Sequence, residues 1–222
     1  MGTKDVNMRT RRLELKFKVK KLPSVKGLDL EEVVSPFKKE IERDFYYDTQ
    51  GYDLLKHGNV LRNRDNRRIE FKLHLSPVEK VRTPIVGFVF HTFNKKNAEV
   101  AKIFKTLNLP FNDKYRDFND FLRVNNLRIL VAVSKKRRRF KVKEGMFLNL
   151  DEVIGLGCFV ELEIHNANAD VPVSVFKDEA FKILSEYGLV DSSAEFIPSG
   201  GGYVELYLKA QNPAVYMLSK YK

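Results

Sequence analysis

Cysteine is nearly absent from this sequence, and long apolar runs are missing altogether. Cys158 is the single cysteine among 222 residues, which excludes an internal disulfide framework and a zinc site built from several cysteines, and fits a reducing compartment. No run reaches the length of about 18 apolar residues that a membrane span needs. The basic first residues lead into no apolar signal segment. We therefore expect a cytoplasmic protein without a membrane partner.

Positive charge, in contrast, is in excess. Lys and Arg total 40 against 29 Asp and Glu, a formal net charge of +11 at pH 7, and a chain this basic commonly meets nucleic acid, a membrane surface or a small polyphosphate. Hydrophobic residues make up 43% of the chain and aromatic residues 12%, which excludes a disordered protein. Because no repeat or linker-like stretch is visible, we divide the chain into a basic N-terminal tail, 1–11, and one domain, 12–222.

Strict alternation of apolar and charged residues predicts β-strands with one charged face. Leu13, Leu15 and Phe17 point to one side of the first strand, and Glu14 and Lys16 point to the other. Similar patterns predict further strands, two of which form a hairpin around residues 65 and 66. The predicted strands are 12–20, 44–48, 60–64, 67–75, 127–143, 146–150 and 158–164, with one more within 85–93.

Helical periodicity and capping signals predict helices between and after these strands. Pro36 interrupts the first helix, and Ser174 is expected to cap the fourth. The predicted helices are 30–43, 98–109, 114–125, 175–187 and 203–211. Together these elements indicate an α+β protein, which we expect to form a closed eight-stranded antiparallel β-barrel, a tunnel, with helices packed outside.

The charged strand faces have more than one interpretation. They can be solvated outer faces of a sheet that is covered on one side only. A closed barrel would instead place them in its lumen, where carboxylates and basic groups together suit a multivalent anion with Mg²⁺ or Mn²⁺. The basic run 135–139 could also be a nucleic-acid patch. Since alternation turns Lys136 and Arg138 away from the side of Arg137, we do not expect nucleic acid as the partner.

Ordered motifs along residues 12–208 are similar to those of one known family. In chain order, these motifs are Arg12-Leu13-Glu14-Leu15-Lys16, Tyr46-Tyr47-Asp48-Thr49, Leu61-Arg62-Asn63-Arg64, Lys72, Lys135-Lys136-Arg137, the run from Leu150 to Glu163, and Tyr203-Val204-Glu205-Leu206. On these motifs the chain resembles the CYTH superfamily, or triphosphate tunnel metalloenzymes. That superfamily includes thiamine triphosphatases, inorganic triphosphatases and class IV adenylate cyclases.

The resemblance implies a metal-dependent phosphohydrolase that acts on tripolyphosphate, a nucleoside triphosphate or thiamine triphosphate. It also implies Mg²⁺ or Mn²⁺ as cofactor and leaves the oligomeric state open. The implied metal ligands are Glu14, Asp151, Glu161 and Glu163. The implied substrate-binding residues are Lys16, Lys18, Arg62, Arg64, Lys72, Lys135, Arg137 and Arg139. The implied catalytic residues are Glu14, Lys16, Arg62, Arg64, Lys72 and Arg137.

Two departures from the family pattern bear on activity. Arg12 stands where the first motif has a carboxylate, which should weaken or abolish one of two metal positions. Gly200 to Gly202 stand where a lysine or serine often precedes the C-terminal tyrosine, a contact that Lys209 could supply. Two alternatives therefore stay open: a class IV-type cyclase that makes cyclic AMP from ATP, and a non-catalytic module that binds polyphosphate or nucleic acid.

Overall fold

The computed structural model describes residues 13–34, 40–65, 68–72, 98–165, 173–197 and 202–222. The α+β class is confirmed, with nine strands and six helices in these ranges. The strands are β1 Leu13–Val19, β2 Glu31–Glu32, β3 Glu42–Thr49, β4 Val60–Arg64, β5 Arg68–Lys72, β6 Leu127–Lys143, β7 Met146–Val153, β8 Gly157–Ile164 and β9 Glu195–Ile197. The helices are α1 Asp53–Lys56, α2 Ala98–Thr106, α3 Phe118–Val124, α4 Val173–Glu186, α5 Tyr203–Gln211 and α6 Pro213–Tyr216. None of these six is long and apolar enough to cross a membrane.

All nine strands belong to one antiparallel sheet, in the order β5-β4-β3-β6-β7-β8-β1-β9, with β2 paired to β6. Six strand spacings separate β5 from β1, which is about 29 Å in a flat sheet. The sheet is strongly curved, because Lys72 Nζ on β5 lies 3.5 Å from Glu14 Oε1 on β1. The expected antiparallel sheet is confirmed with nine strands instead of eight, and hydrogen bonds between its described end strands do not close it. The strand expected within 85–93 lies outside the described residues.

The apolar face of β1 lies under helix α4. Leu13, Leu15 and Phe17 are buried and pack in one cluster with Ala180 and Leu184 of the helix. Burial of each such leucine or phenylalanine contributes roughly 1.5–3 kcal/mol. Because side chains alternate along a strand, this packing turns the charged residues of β1 to the opposite face of the sheet.

Helix α5 covers one end of that opposite face. Tyr203, Val204 and Leu208 of the helix pack in one apolar cluster with Val133 of β6 and Phe159 of β8. Val133 lies two residues before Lys135, and Phe159 lies two residues before Glu161, so both point to the charged side of their strands. The cluster therefore covers one end of that side. A third apolar cluster joins β4 and β5 to α2 and α3 through Leu61, Phe71, Phe104 and Phe121.

The helices predicted at 98–109, 114–125 and 203–211 are confirmed as α2, α3 and α5. Helix α3 begins only at Phe118, because the carboxylate of Asp117 caps it by accepting from the Asp120 backbone N–H at 2.8 Å. Helix α4 begins at Val173. Ser174 therefore lies inside α4, and the prediction that it caps the helix is wrong.

The helix predicted at 30–43 is also wrong. Both of its flanks form strands instead, since β2 and β3 each pair with β6. Pro36 has no N–H to donate to a helix, whereas pairing with β6 satisfies the backbone groups of the flanking residues. This strand pairing places the charged start of β3 beside β6.

Candidate functional site

Charged side chains from seven strands meet on the inner side of the curved sheet, which we call the charged face. Lys135, Asp44 and Asp151 are at most 1% exposed. Burial of a charge is costly unless the charge is paired, so the partners decide how the face is held together. The ion-paired members of the charged face in the described ranges are seven basic residues and seven carboxylates: Lys16, Arg62, Arg64, Lys72, Lys135, Arg137 and Arg139, with Glu14, Glu42, Asp44, Glu70, Asp151, Glu161 and Glu163.

Asp44 on β3 holds three of the basic side chains. Arg64 donates to its two oxygens from Nε and Nη2, at 2.7 and 2.8 Å. Lys135 Nζ donates at 3.0 Å and Arg62 Nη1 at 3.2 Å. Arg62 Nη2 reaches further, to the carboxylate of Glu70 on β5. We call these five residues the Asp44 cluster.

The electrostatics of the Asp44 cluster keep its central carboxyl group ionised. Burial alone would raise the pKa of Asp44, but Arg62, Lys135 and Arg64 hold it well below its usual range. Burial lowers the pKa of Lys135, and the nearby Arg64 lowers it further. The lysine is therefore the member of this cluster whose proton is held least firmly.

A second cluster centres on Glu161 of β8. Its carboxylate accepts hydrogen bonds from Lys16 Nζ, from Asn149 Nδ2 at 2.9 Å and from Arg137 Nη2 at 3.2 Å. Burial would raise the pKa of Glu161, whereas Lys16 and Arg137 hold it well below its usual range. Lys16 and Glu161 are also direct partners in the β1–β8 register, so the sheet itself sets this contact.

Glu163 lies two residues further along β8, on the same face. Arg139 grips it with both guanidinium ends, at 2.7 and 3.0 Å. Asn149 Nδ2 donates to it at 3.2 Å, and His165 Nε2 lies 2.5 Å from it. Asn149 thus bridges Glu161 and Glu163 and fixes the spacing between the two carboxylates.

Tyr203, at the start of α5, connects the two clusters. Its hydroxyl donates to Asp151 Oδ2 at 2.5 Å, and the same carboxylate accepts from Arg137 Nε at 2.6 Å. The ring of Tyr203 lies under two ammonium groups, 4.5 Å from Lys16 Nζ and 5.5 Å from Lys135 Nζ. Burial raises the pKa of Tyr203 well above its usual value, so the hydroxyl remains a donor.

A family model for the CYTH domain matches residues 11–195 of the chain, which include every residue of the charged face. The chain belongs to the CYTH domain family. The resemblance inferred from the ordered motifs is therefore confirmed.

Several solved structures have a fold similar to that of this chain at low sequence identity. The PH1819 protein of Pyrococcus horikoshii OT3 is 22% identical with a TM-score of 0.56, over 89% of this chain and 98% of that chain. A candidate adenylate cyclase of Vibrio parahaemolyticus is 18% identical with a TM-score of 0.56, over 89% and 97%. The Hippeastrum protein HpAC1, a candidate adenylyl cyclase with a stated dominant triphosphatase activity, is 17% identical with a TM-score of 0.52, over 94% and 95%. No curated protein matches the chain.

Most of the site residues that were predicted from the sequence lie together on the charged face. Glu14 and Lys72 pair at its edge, where β1 and β5 approach each other. Lys18 lies on the same side of β1 but is exposed and makes none of the described ion pairs within the two clusters. Arg12, the residues 1–11 and Gly200 to Gly201 lie outside the described residues, so their predicted effects stay predictions.

Several members of the site were not predicted. Glu42 and Asp44 lie at the start of β3. Glu42 fell within the wrongly predicted helix 30–43, whereas Asp44 began the predicted strand 44–48 but was assigned no role. Glu70 and Asn149 could have been found by alternation, because Glu70 shares a face with Lys72, and Asn149 with Asp151. Two further residues, His165 and Tyr203, were also not assigned a role at the site.

The carboxylates of the CYTH domain supply the oxygen ligands that Mg²⁺ and Mn²⁺ prefer. Within the described residues, no group of three or more His, Cys, Asp or Glu surrounds a metal position. Glu14 and Glu163 nevertheless lie directly opposite each other in the β1–β8 register, with Glu161 two residues from Glu163. The donor types therefore suit a divalent metal ion, and the assignment of particular metal ligands stays a prediction.

Proposed function

We propose that this protein is a divalent-metal-dependent triphosphatase that removes the terminal phosphate from inorganic or small organic triphosphates. The observation that carries the proposal is the buried set of basic side chains from β1, β4 and β6 on one face. Lys16 and Arg137 are placed to donate to phosphate oxygens, and an arginine can grip two oxygens at once. Membership of the CYTH family supports the proposal, as does the triphosphatase activity stated for HpAC1.

The charge balance of the face supports a metal requirement. Its seven basic groups already face seven carboxylates, so a triphosphate that entered alone would add several uncompensated negative charges in a buried place. A bound Mg²⁺ or Mn²⁺ ion supplies the compensating charge and polarises the phosphoryl oxygens. We assign Glu14, Glu161 and Glu163 as the residues that hold the ion.

Asp151 has a different role in this proposal. Both of its oxygens are engaged, one by Arg137 Nε and the other by the hydroxyl of Tyr203 and by Arg137 Nη2. We therefore assign Asp151 the role of orienting Arg137 towards the substrate. Glu161 and Glu163 are also paired at both oxygens, so the prediction of Asp151 as a metal ligand stays a prediction. Asp44 orients Arg62, Arg64 and Lys135 in the same way.

The charged face is proposed to be the wall of a closed tunnel in the single domain 12–222. The contact between Lys72 and Glu14 brings the two sides of the sheet within ion-pair distance. Helix α5 seals one end of this space with Tyr203 and its apolar neighbours. A triphosphate would therefore enter from the opposite end, past Glu14 and Arg139.

The test is phosphate release from tripolyphosphate, ATP and thiamine triphosphate, each with Mg²⁺ or Mn²⁺. We expect the unaltered protein to release phosphate from at least one of them, and Glu161→Gln and Glu163→Gln to lower the rate by about 100-fold or more. Glu152→Gln is the matched control, because Glu152 is on the neighbouring strand β7 but is exposed on the outer face. It should retain the full rate.

Other outcomes separate the remaining alternatives. Cyclic AMP formed from ATP, without release of a terminal phosphate, would make the protein a cyclase. Salt-sensitive binding of tripolyphosphate without any product would show that the protein is a non-catalytic polyphosphate-binding module. Full activity of Glu161→Gln and Glu163→Gln would contradict the assigned metal ligands.

A further inference from the structure

The charged face has a deep end and an open end. At the deep end, the side chains of Lys135 and Asp151 are 1% and 0% exposed. At the open end, the side chains of Arg139 and His165 are 24% and 36% exposed. A ligand that places its most charged part among the buried groups therefore leaves its other part near Arg139 and His165.

Phe147 lies at this open end, on the charged face. It precedes Asn149 and Asp151 by two and four residues on β7, so all three point to the same side of the sheet. It is half-buried, and among the described residues it is a member of none of the three apolar clusters. Its ring is therefore not explained by core packing.

Two further flat groups flank the ring of Phe147. The guanidinium carbon of Arg139 lies 4.3 Å from its centroid. The imidazole of His165 has its centroid 5.0 Å away, inclined at 47°. Glu163 holds both of these groups, since Arg139 grips it bidentately and His165 Nε2 lies 2.5 Å from it. Arg139 and His165 are thus held beside the ring of Phe147 before any ligand arrives.

We propose that Phe147, Arg139 and His165 form a subsite for the neutral heterocyclic base of a nucleoside triphosphate. The inference rests on the proposed function, and it adds the class of substrate and its direction in the site. Phe147 is about 13 Å along β7 from Asp151, which leaves room for the phosphates between the base and the deep end. Stacking on aromatic and guanidinium planes tolerates any base, because every base has a π-face.

Charge distinguishes this ligand from the other organic triphosphates. The guanidinium of Arg139 already lies over the ring of Phe147 as its cation partner, so a second cation would gain no such contact there. A positively charged ring, as in thiamine triphosphate, is therefore disfavoured against a neutral base. Inorganic tripolyphosphate has no group that would contact Phe147 at all.

The experiment measures equilibrium binding of ATP and of tripolyphosphate, with Mg²⁺, to the full chain by calorimetry. Phe147→Leu retains apolar bulk and removes the ring. We expect it to weaken ATP binding by about tenfold, while the Kd for tripolyphosphate changes less than about twofold. Phe147→Trp should bind ATP at least as tightly as the unaltered protein. Phe181→Leu, in an exposed phenylalanine on α4, is the matched control and should change neither Kd.

Each other outcome overturns the inference. Equal weakening of both ligands by Phe147→Leu would mean that Phe147 only supports Arg139, and an unchanged Kd for ATP would mean that the base lies elsewhere. If the unaltered protein binds tripolyphosphate but not ATP, the subsite is refuted while the proposed function stands. If it binds neither, both are refuted.

Discussion

Tyr203 is the residue through which helix α5 contacts the charged groups of both clusters. It donates to Asp151, which in turn holds Arg137, and its ring lies under Lys16 and Lys135. The hydroxyl and the ring thus act on different partners. Substitutions that remove one or both of them separate the two contributions.

Tyr203→Phe should lower kcat/KM for tripolyphosphate by about tenfold, because the hydrogen bond to a charged acceptor is worth about 1.5–3 kcal/mol. Tyr203→Leu also removes the ring and should lower kcat/KM further, mainly through a higher KM as Lys16 and Lys135 lose their support. Steady-state kinetics of both variants measure this split. Equal kinetics for Tyr203→Phe and Tyr203→Leu would show that the ring has no effect on the two lysines.

Because of Asp44, the free energy of unfolding should decrease as the solution becomes acid. Its pKa is held well below the ordinary value of 3.8 by its basic neighbours, against the effect of burial. An acid with a lowered pKa in the folded state stabilises the fold above its unfolded pKa and loses that contribution as the pH falls below it. The loss therefore begins near pH 4, and Glu161, whose pKa is also lowered, adds to it.

Asp44→Asn should destabilise the protein by about 3 kcal/mol near neutral pH, since three buried cations lose the counter-charge that they share. It should also flatten the fall in unfolding free energy below pH 4. Urea denaturation at a series of pH values measures both effects. Glu144→Gln is the control, because Glu144 pairs with Lys141 on the surface at 93% exposure and should change stability by less than about 1 kcal/mol. A pH profile that Asp44→Asn leaves unchanged would contradict the assignment.

At the scale of elements, alternation along a strand was the most informative pattern in the sequence. It predicted β6 with its observed ends, Leu127–Lys143, and it assigned Lys135, Arg137 and Arg139 to one face. It works here because one face of the sheet packs under a helix, and a shift by one residue would bury charges there. Helix ends were harder to predict from the sequence. Ser174 and Asp117 are both residue types that can cap a helix, and the local sequence alone does not show which of them does so.

The partners of the basic residues could be predicted only in part. Glu161 and Glu163 follow from their own strand, but their contacts with Arg137 and Arg139 depend on the register of β6, β7 and β8. Asp44 was predicted only as the first residue of the strand 44–48, and its pairing with β6 was not predicted because the residues before it were assigned to the wrong helix 30–43. Which strands become neighbours is a property of the whole sheet and is not encoded in any local pattern.

Helix α4 and the charged face should contribute to different properties. Leu184 is 1% exposed and packs on the outer, apolar side of β1. Leu184→Ala should cost about 2–5 kcal/mol of unfolding free energy, with little change in kcat/KM per folded molecule. Chemical denaturation and kinetics at low temperature measure the two separately. A large loss of kcat/KM in fully folded protein would show that α4 acts on the site as well.

For the whole molecule, the structure changes the meaning of the net charge. The +11 of the chain does not come from the ion-paired members of the charged face, which are basic and acidic in equal number within the described ranges. The excess is therefore located elsewhere in the chain. This excess charge can attract an anionic substrate over some distance. Specific binding of a triphosphate depends instead on the paired groups of the charged face.

Two neighbouring arginines of β6 test the central claim most directly. Arg137 lies on the charged face, bound to Asp151 and Glu161, whereas Arg138 faces outward and pairs with Glu32. Tripolyphosphate hydrolysis with Mg²⁺ should fall about 100-fold or more in Arg137→Ala and stay within about twofold in Arg138→Ala, at equal net charge. Equal rates for the two variants would contradict the claim that the charged face is the triphosphate site.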